Sequence, residues 1–520
     1  MRELVGKHFP LDSGQRNQIT LLDYSKVFAP SKWNRTQISR AVFPAGPNLM
    51  ALSGLSFLEI TMYPALQKEL DTFERRTPKS AEAHKKNLKR LPLGVASNYR
   101  AYDPYPIFVA EASGSKFRDL DDNEYIDHNL CFGTLMAGHS HPAVIKAVEG
   151  RLHKGTAYGM PHNMEWELAE EICTRFPVEM CRFGNSGTEA TMHSIRLARA
   201  ATGRDKIIKF EGGYHGLHDS ALVSVKPHPP KDDFGDIKNP RPVSGGLGVP
   251  KASIANVLIA TFNDLETVER RFKENPGEIA AIILEPIMMN VGMCFPQKGF
   301  LEGLRELCDR HGALLIFDEV KTGAKLCWSG ASEYFGVMPD MICLAKSIGG
   351  GFPLAAFGTH KRVMDLISDH RVFHGGTYNT NPISMAAGLA TFRHVLTREN
   401  YSHVGKLSKK LVDGYKRTVA KVGLQAYVPS AGVNGCLMLY PQEIRNYRDW
   451  LAIDTDLWRH YWFGMVNRGV MCQPYWWDEQ WTISVQHSEA DIDNHLGAFA
   501  DLAGALAAAQ QERLGVVATH

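Results

Sequence analysis

No charge of either sign dominates this 520-residue chain: 58 Lys and Arg stand against 56 Asp and Glu, a formal charge of +2. That balance leaves no electrostatic footprint for nucleic acid or an anionic membrane. Cysteine is scarce and scattered. The nine cysteines are odd in number and never spaced as CxxC, which fits a reducing compartment without a structural zinc site better than a disulfide framework. Long apolar runs are missing as well. The longest uncharged stretch near the start, residues 41–58, is broken by Pro44, Gly46, Pro47, Asn48 and Gly54 and makes a poor spanning helix. The first twenty residues carry Glu3 and Asp12 and no apolar signal core, so a cytoplasmic protein is expected. Neither GxGxxG nor GxxxxGKS occurs, which argues against a nucleotide.

What is present reads as an α/β protein of more than one domain, since the chain is about two to four typical domains long. Residues 1–90 look like an appended helical extension, with LQKELDTFERR and AEAHKKNLKR as exposed helix. Residues 91–150 carry short alternating strands and turns around 108–127. Within 151–395, apolar runs such as KIIKF, IAAIILEP, ALLIFDEV and DMICLAKS alternate with helical patterns. That order predicts a mostly parallel sheet covered on both faces. From 396 to 520 long amphipathic helices return, and a smaller domain is expected there.

Two of those strands end in unusual groups. ALLIF runs into Asp318 and Glu319, and DMICLA into Lys346, followed by Ser347 and Gly349–Gly351. A carboxylate at the tip of a buried strand needs a partner, and a lysine beside glycines can approach a ligand closely. Pyridoxal phosphate asks for such a pair: a lysine to hold its aldehyde as an imine, and a carboxylate to keep the pyridine nitrogen protonated. It also asks for an anion cradle and a stacking surface. GNSGTEAT provides a turn, Asn185 to Thr188, that opens a helix; the amides of Gly187 and Thr188 would point at an anion, with hydroxyls from Ser186 and Thr188. By itself such a turn is also an ordinary helix cap. Tyr214 and His215 in EGGYHG supply two flat side chains between glycines.

The motifs FGNSGTEAT, GGYHG, ILEPIMMN, FDEVKTG, CLAKSIGGGFPLAAFG and GGTYNTNP together resemble the class III aminotransferases, most closely glutamate-1-semialdehyde 2,1-aminomutase and its aminotransferase relatives. The resemblance covers about residues 92–505. It implies the fold type I architecture of pyridoxal-phosphate enzymes: a large cofactor-binding domain over 151–395 and a small α+β domain from the two chain ends, 91–150 and 396–520. It implies that Lys346 is the Schiff-base lysine and Asp318 the partner of the pyridine nitrogen. Ser186, Gly187 and Thr188 match the phosphate turn, Tyr214 and His215 the ring-stacking loop, and Asn290 the residue that bonds the cofactor's 3-hydroxyl. Thr377 matches a threonine that reaches the phosphate of the neighbouring subunit, which implies a homodimer with shared active sites.

On the substrate side, GVASNYRAY places Ser97 and Arg100 where the aminomutases hold a carboxylate, and WWDEQWTIS places Glu479 where they have a substrate-facing glutamate. Several segments depart from the aminomutase pattern: a longer Pro-rich stretch at 226–250, KTGAKLCW in place of the MTGFR type, Tyr378, Asn379 and Thr380 after Thr377, and Trp476 and Trp477 before Glu479. These departures favour an aminotransferase moving an amino group between an amino acid and a keto acceptor. An aminomutase that shifts the amine within one molecule is the alternative.

Overall fold

A computed structural model describes residues 64–225 and 234–518. The expectations for the first 63 residues, and for residues 226–233 of the Pro-rich stretch, lie outside the described residues.

The centre of the molecule is a seven-stranded sheet built from β1 (Met180–Gly184), β2 (Lys206–Phe210), β3 (Val257–Ala260), β4 (Ile279–Leu284), β5 (Leu314–Asp318), β6 (Met341–Leu344) and β7 (Ala355–Thr359). Their spatial order is β1-β7-β6-β5-β4-β2-β3. Only β7 runs against the others, pairing antiparallel with β6 and β1; β2 to β6 pair in parallel. Neighbouring residues of a strand point to opposite faces, and here both faces are dry. Ile207, Ile283, Ile316 and Cys343 join one apolar cluster, while Ile208, Ile282, Phe317 and Ile342 join the other. All six residues of β4 are buried. This double burial is why the strands read as continuous apolar runs and why crossover helices must cover both sides.

The parallel direction brings the carboxyl ends of β4, β5 and β6 to one edge, so Glu285, Asp318 and Lys346 follow adjacent strands to the same rim. A helix at Gly187–Thr202 leaves β1 at that rim too. Its N-terminus is fixed by a capping box in which Ser186 Oγ accepts from the Glu189 amide, and Gly203, in the left-handed region at φ 68°, ends it.

A second, four-stranded sheet joins the two sides of the chain. Val109–Ser113, Lys116–Asp119 and Glu124–Asp127 form an antiparallel meander, and Val470–Met471 adds in parallel to its last strand. The helix Pro64–Arg76 packs its Leu66, Leu70 and Phe73 stripe inward. Phe73 meets Phe463 of the helix Thr455–Asn467 at 5.1 Å, and Asn467 Nδ2 donates to the Glu69 carbonyl at 2.8 Å. The helix Pro64–Arg76 is therefore docked through one stripe where an exposed helix was expected, whereas the next helix, Pro78–Asn87, buries only Ser80 and is exposed as expected. No described helix is long and apolar enough to cross a membrane.

Beneath the small sheet lie three buried imidazoles. His128 stacks on His487 at 4.4 Å between centroids and meets His495 edge-on at 4.5 Å. Burial pushes His487 down to about 4 and His495 to about 3, and holds His128 well below its usual value. The charged neighbours, Asp127, Asp491 and His139, do not reverse this. Each imidazole is thus neutral when folded and binds a proton more readily when unfolded, so its contribution is intact above about pH 6.5 and is lost as the pH falls from 6.5 toward 4. We predict that the urea midpoint drops over that interval. Neither His128 nitrogen has a partner among the described residues, so His128→Phe should fold and make the drop shallower by about one proton. An unchanged slope would contradict the reading.

Candidate active site

Asp318 is 4% exposed at the end of β5. His215 Nδ1 donates to its Oδ2 at 2.8 Å, and the Val320 amide to its Oδ1 at 3.0 Å. Glu319, the next residue, faces away. It accepts from the Ala331 amide at 2.7 Å and from Thr322 Oγ1 at 3.3 Å, and burial lifts it to about 7. Asp318 is therefore the strand-end carboxylate held by the aromatic loop at the rim. His215 was expected in a stacking role; its ring instead orients Asp318, and its Nε2 is buried without a partner among the described residues. Tyr214 is the member of the pair whose ring is not committed to Asp318. The Tyr99 ring meets its edge at 5.9 Å and 88°.

Glu285, just beyond β4, is a group that the sequence reading missed. Its Oε1 accepts from the Tyr214 amide at 3.1 Å, and its Oε2 from the Met289 amide at 3.1 Å and Asn290 Nδ2 at 2.7 Å. Three donors hold this carboxylate although burial raises its pKa. Through it, the GGYHG loop and Asn290 become one unit. The motif ILEPIMMN carried the signal, but only as a string.

At the turn before the helix Gly187–Thr202, the Glu189 carboxylate takes the amides of Asn185 and Ser186. Gly187 and Thr188, the first helical residues, have no intrahelical acceptor for theirs. There is little room for side chains here: a Cβ on Gly187 would stand 2.9 Å from Val320 Cγ2, and one on Gly216 only 2.7 Å from Thr188 Cα. The Leu217 amide donates to Thr188 Oγ1 at 3.3 Å, which ties the aromatic loop to the turn.

Lys346 opens a tight turn after β6 with φ 49°, a strained value for a lysine. Burial lowers its pKa to about 8, Lys321 pushes in the same direction, and Glu479, Asp318 and Glu285 oppose them. Lys321 and Lys325 both come from the departing KTGAK segment. Lys321 Nζ lies 2.7 Å from Glu479 Oε2, so Glu479, expected to face a substrate, is paired within the protein. Lys325 Nζ donates to the Gly133 carbonyl at 3.1 Å, and burial holds it well below its ordinary value.

The remaining expected residues lie apart. Ser97 caps a short turn at Asn98–Arg100; Arg100 is exposed, makes no ion pair among the described residues, and lines a 480 Å³ cavity with Tyr99, Cys131 and Phe132. Thr377 sits on an exposed turn. That turn is linked to the phosphate-type turn through Asn379 Oδ1, which accepts from Asn185 Nδ2 at 3.1 Å. Trp477 stacks on Trp450 at 5.8 Å and, with Trp476, borders a separate cleft containing Arg459.

The class-III aminotransferase family model matches residues 97–471. This chain belongs to that family. Among its relatives, the glutamate-1-semialdehyde 2,1-aminomutase of Desulforamulus reducens is 40% identical over 437 residues, covering 83% of this chain and 96% of that protein. An omega-transaminase from Sphaerobacter thermophilus has the same fold with a TM-score of 0.77 and 31% identity, covering 82% of this chain and 97% of the other. A glutamate-1-semialdehyde aminomutase from Pseudomonas aeruginosa, solved with PMP, gives 0.77 and 28%, covering 85% and 98%. The fold is therefore fold type I, and the cofactor of this class-III enzyme is pyridoxal phosphate.

The residues fit that cofactor. Free first-turn amides beside a turn too narrow for a Cβ suit a phosphate, and a carboxylate locked by a histidine suits a protonated ring nitrogen. Gly216, at φ 97°, sits where the aromatic loop touches that turn. We predict that Gly216→Ala lowers stability by about 1–3 kcal/mol and weakens cofactor retention. Calorimetry with and without pyridoxal phosphate would measure both, and a variant with unchanged melting and retention would contradict the packing described.

Proposed function

We propose that this enzyme is an aminomutase of the glutamate-1-semialdehyde type, which moves an amino group from C2 to C1 of one molecule. The observation that supports this over the transaminase reading placed first on sequence grounds is the match to aminomutases along nearly their whole length. Moving the amine of glutamate-1-semialdehyde in this way gives 5-amino-4-oxopentanoate, with no second substrate consumed.

In this reading Lys346 takes and returns the protons at the two substrate carbons. A pKa near 8 leaves part of it as free amine at neutral pH, as a general base requires. Bound pyridoxal phosphate supplies the electron sink that lets nitrogen leave one carbon and join its neighbour. Asp318, oriented by His215, would hold the proton on the ring nitrogen; Asn290, steadied by Glu285, would meet the 3-hydroxyl. The Gly187 and Thr188 amides, with Ser186, would carry the phosphate, and Tyr214 the ring face. Arg100 is a guanidinium with no ion pair among the described residues, suited to fork a carboxylate with Ser97 beside it. Thr377, exposed on its turn, would complete the phosphate site of a second copy in a homodimer.

The transaminase is kept as the second reading, because Lys321 occupies the Glu479 carboxylate that the aminomutase resemblance assigns to substrate. The two readings differ in stoichiometry. Enzyme in the amine form of its cofactor, given glutamate-1-semialdehyde alone, should yield 5-amino-4-oxopentanoate mole for mole. Conversion that requires an added keto acid, with a new amino acid formed, would establish the transaminase instead. In the same assay Arg100→Ala should weaken the carboxylate substrate by about 2 kcal/mol, the lower end for a charge pair because Arg100 is exposed. An analogue without the carboxylate should be affected far less, and equal losses would remove Arg100 from the site.

A further inference from the structure

The KTGAK segment puts a second lysine where burial leaves little room for an unpaired charge. The Lys321 and Glu479 side chains are each 8% exposed, and their charged atoms are 2.7 Å apart. Lys321 stands three residues beyond Asp318 on the continuation of β5, while Glu479 belongs to a segment 158 residues later. That segment is itself fixed: Gln473 Nε2 donates to the Glu479 carbonyl at 3.0 Å, and Gln480 Nε2 to the Met289 carbonyl at 2.6 Å. Gln480 Oε1 also lies 3.4 Å from Lys321 Nζ. We propose that Lys321 is a positioning residue that clamps the Glu479 carboxylate, so that Lys346 works beside a closed ion pair and not beside a free anion.

The groups facing Lys346 make this clamp consequential. They are Lys321, Glu479, Asp318 and Glu285, with Lys325 and Cys131 also close enough to interact. Asp318 is engaged by His215 and Glu285 by three N–H donors. Glu479 is ion-paired with Lys321, a lysine that the MTGFR-type segment lacks. An unbalanced anion beside Lys346 would favour its protonated form, whereas Lys321 favours the free amine. Lys321 thus acts through Glu479 and Lys346 without touching substrate, and the inference holds for either reading of the reaction.

The test is a pH titration of the visible absorption of holoenzyme loaded with pyridoxal phosphate, without substrate, for wild type, Lys321→Met, Glu479→Gln and the double variant. Lys321→Met should raise the midpoint by about one pH unit, Glu479→Gln should lower it, and the double variant should return close to wild type. Should Lys321→Met fail to fold because a buried ion pair has been broken on one side, the double variant compared with Glu479→Gln carries the same information: removing Lys321 must still raise the midpoint. A titrating band that does not move when Lys321 is lost in either background would overturn the proposal while leaving Lys346 in its role. A wild type whose band does not titrate would likewise overturn the proposal, since the clamp is what brings that midpoint into the working range.

Discussion

The bond from His215 to Asp318 answers a problem that the sheet creates. A strand buried on both faces cannot end in an ionised carboxylate without a partner, because desolvation of the lone charge costs several kcal/mol. Asp318 is that carboxylate, and the partner arrives from a loop 103 residues earlier in the chain. Once His215 is committed, the GGYHG loop has to cross the rim at a fixed height. That places the Tyr214 amide on Glu285 and Gly216 against Thr188. Loop, cradle and strand ends are consequences of giving one buried carboxylate its hydrogen-bond partner.

The same logic runs around the rim. Glu285 is held by N–H donors, Glu319 through its Oε2 alone by an amide and a hydroxyl, and Glu479 by Lys321. Farther from the site, Glu211 is gripped by Arg448, with Nη2 at 2.7 Å and Nε at 2.6 Å. Charges at this depth interact through a low effective dielectric, so each pairing changes what its neighbours hold. Lys346 owes its lowered proton affinity first to burial and then to this arrangement, in which Lys321 adds to the effect and Glu479, Asp318 and Glu285 oppose it.

The parts legible in the sequence were those written locally. Doubly buried strands appear as apolar runs, and KIIKF, IAAIIL, LLIFD and MICL are strands as expected. Asp318 and Lys346 were visible because a charge following such a run is conspicuous. The strand AAFGT was not read as one, since alanine and glycine carry little strand preference and its place, antiparallel between β6 and β1, is set by its neighbours. Contacts between distant segments were also hidden. Nothing in the string GGYHG separates a stacking histidine from one that bonds Asp318, and nothing in KTGAK reveals that its first lysine meets Glu479. Trp476 and Trp477, noted in the sequence only as a departure before Glu479, border another cleft, where Trp450 offers Trp477 a flat apolar face.

The central claim is that one lysine, Lys346, at the rim defined by Asp318, carries the cofactor. Borohydride reduction of enzyme loaded with pyridoxal phosphate fixes the cofactor to the amine that holds it, and mass spectrometry of the digested protein locates that amine. Three lysines crowd this site, so the measurement discriminates. The account predicts a single pyridoxyl adduct on the peptide containing Lys346, with Lys321 and Lys325 unmodified. An adduct on either of those two, or none at Lys346, would contradict it.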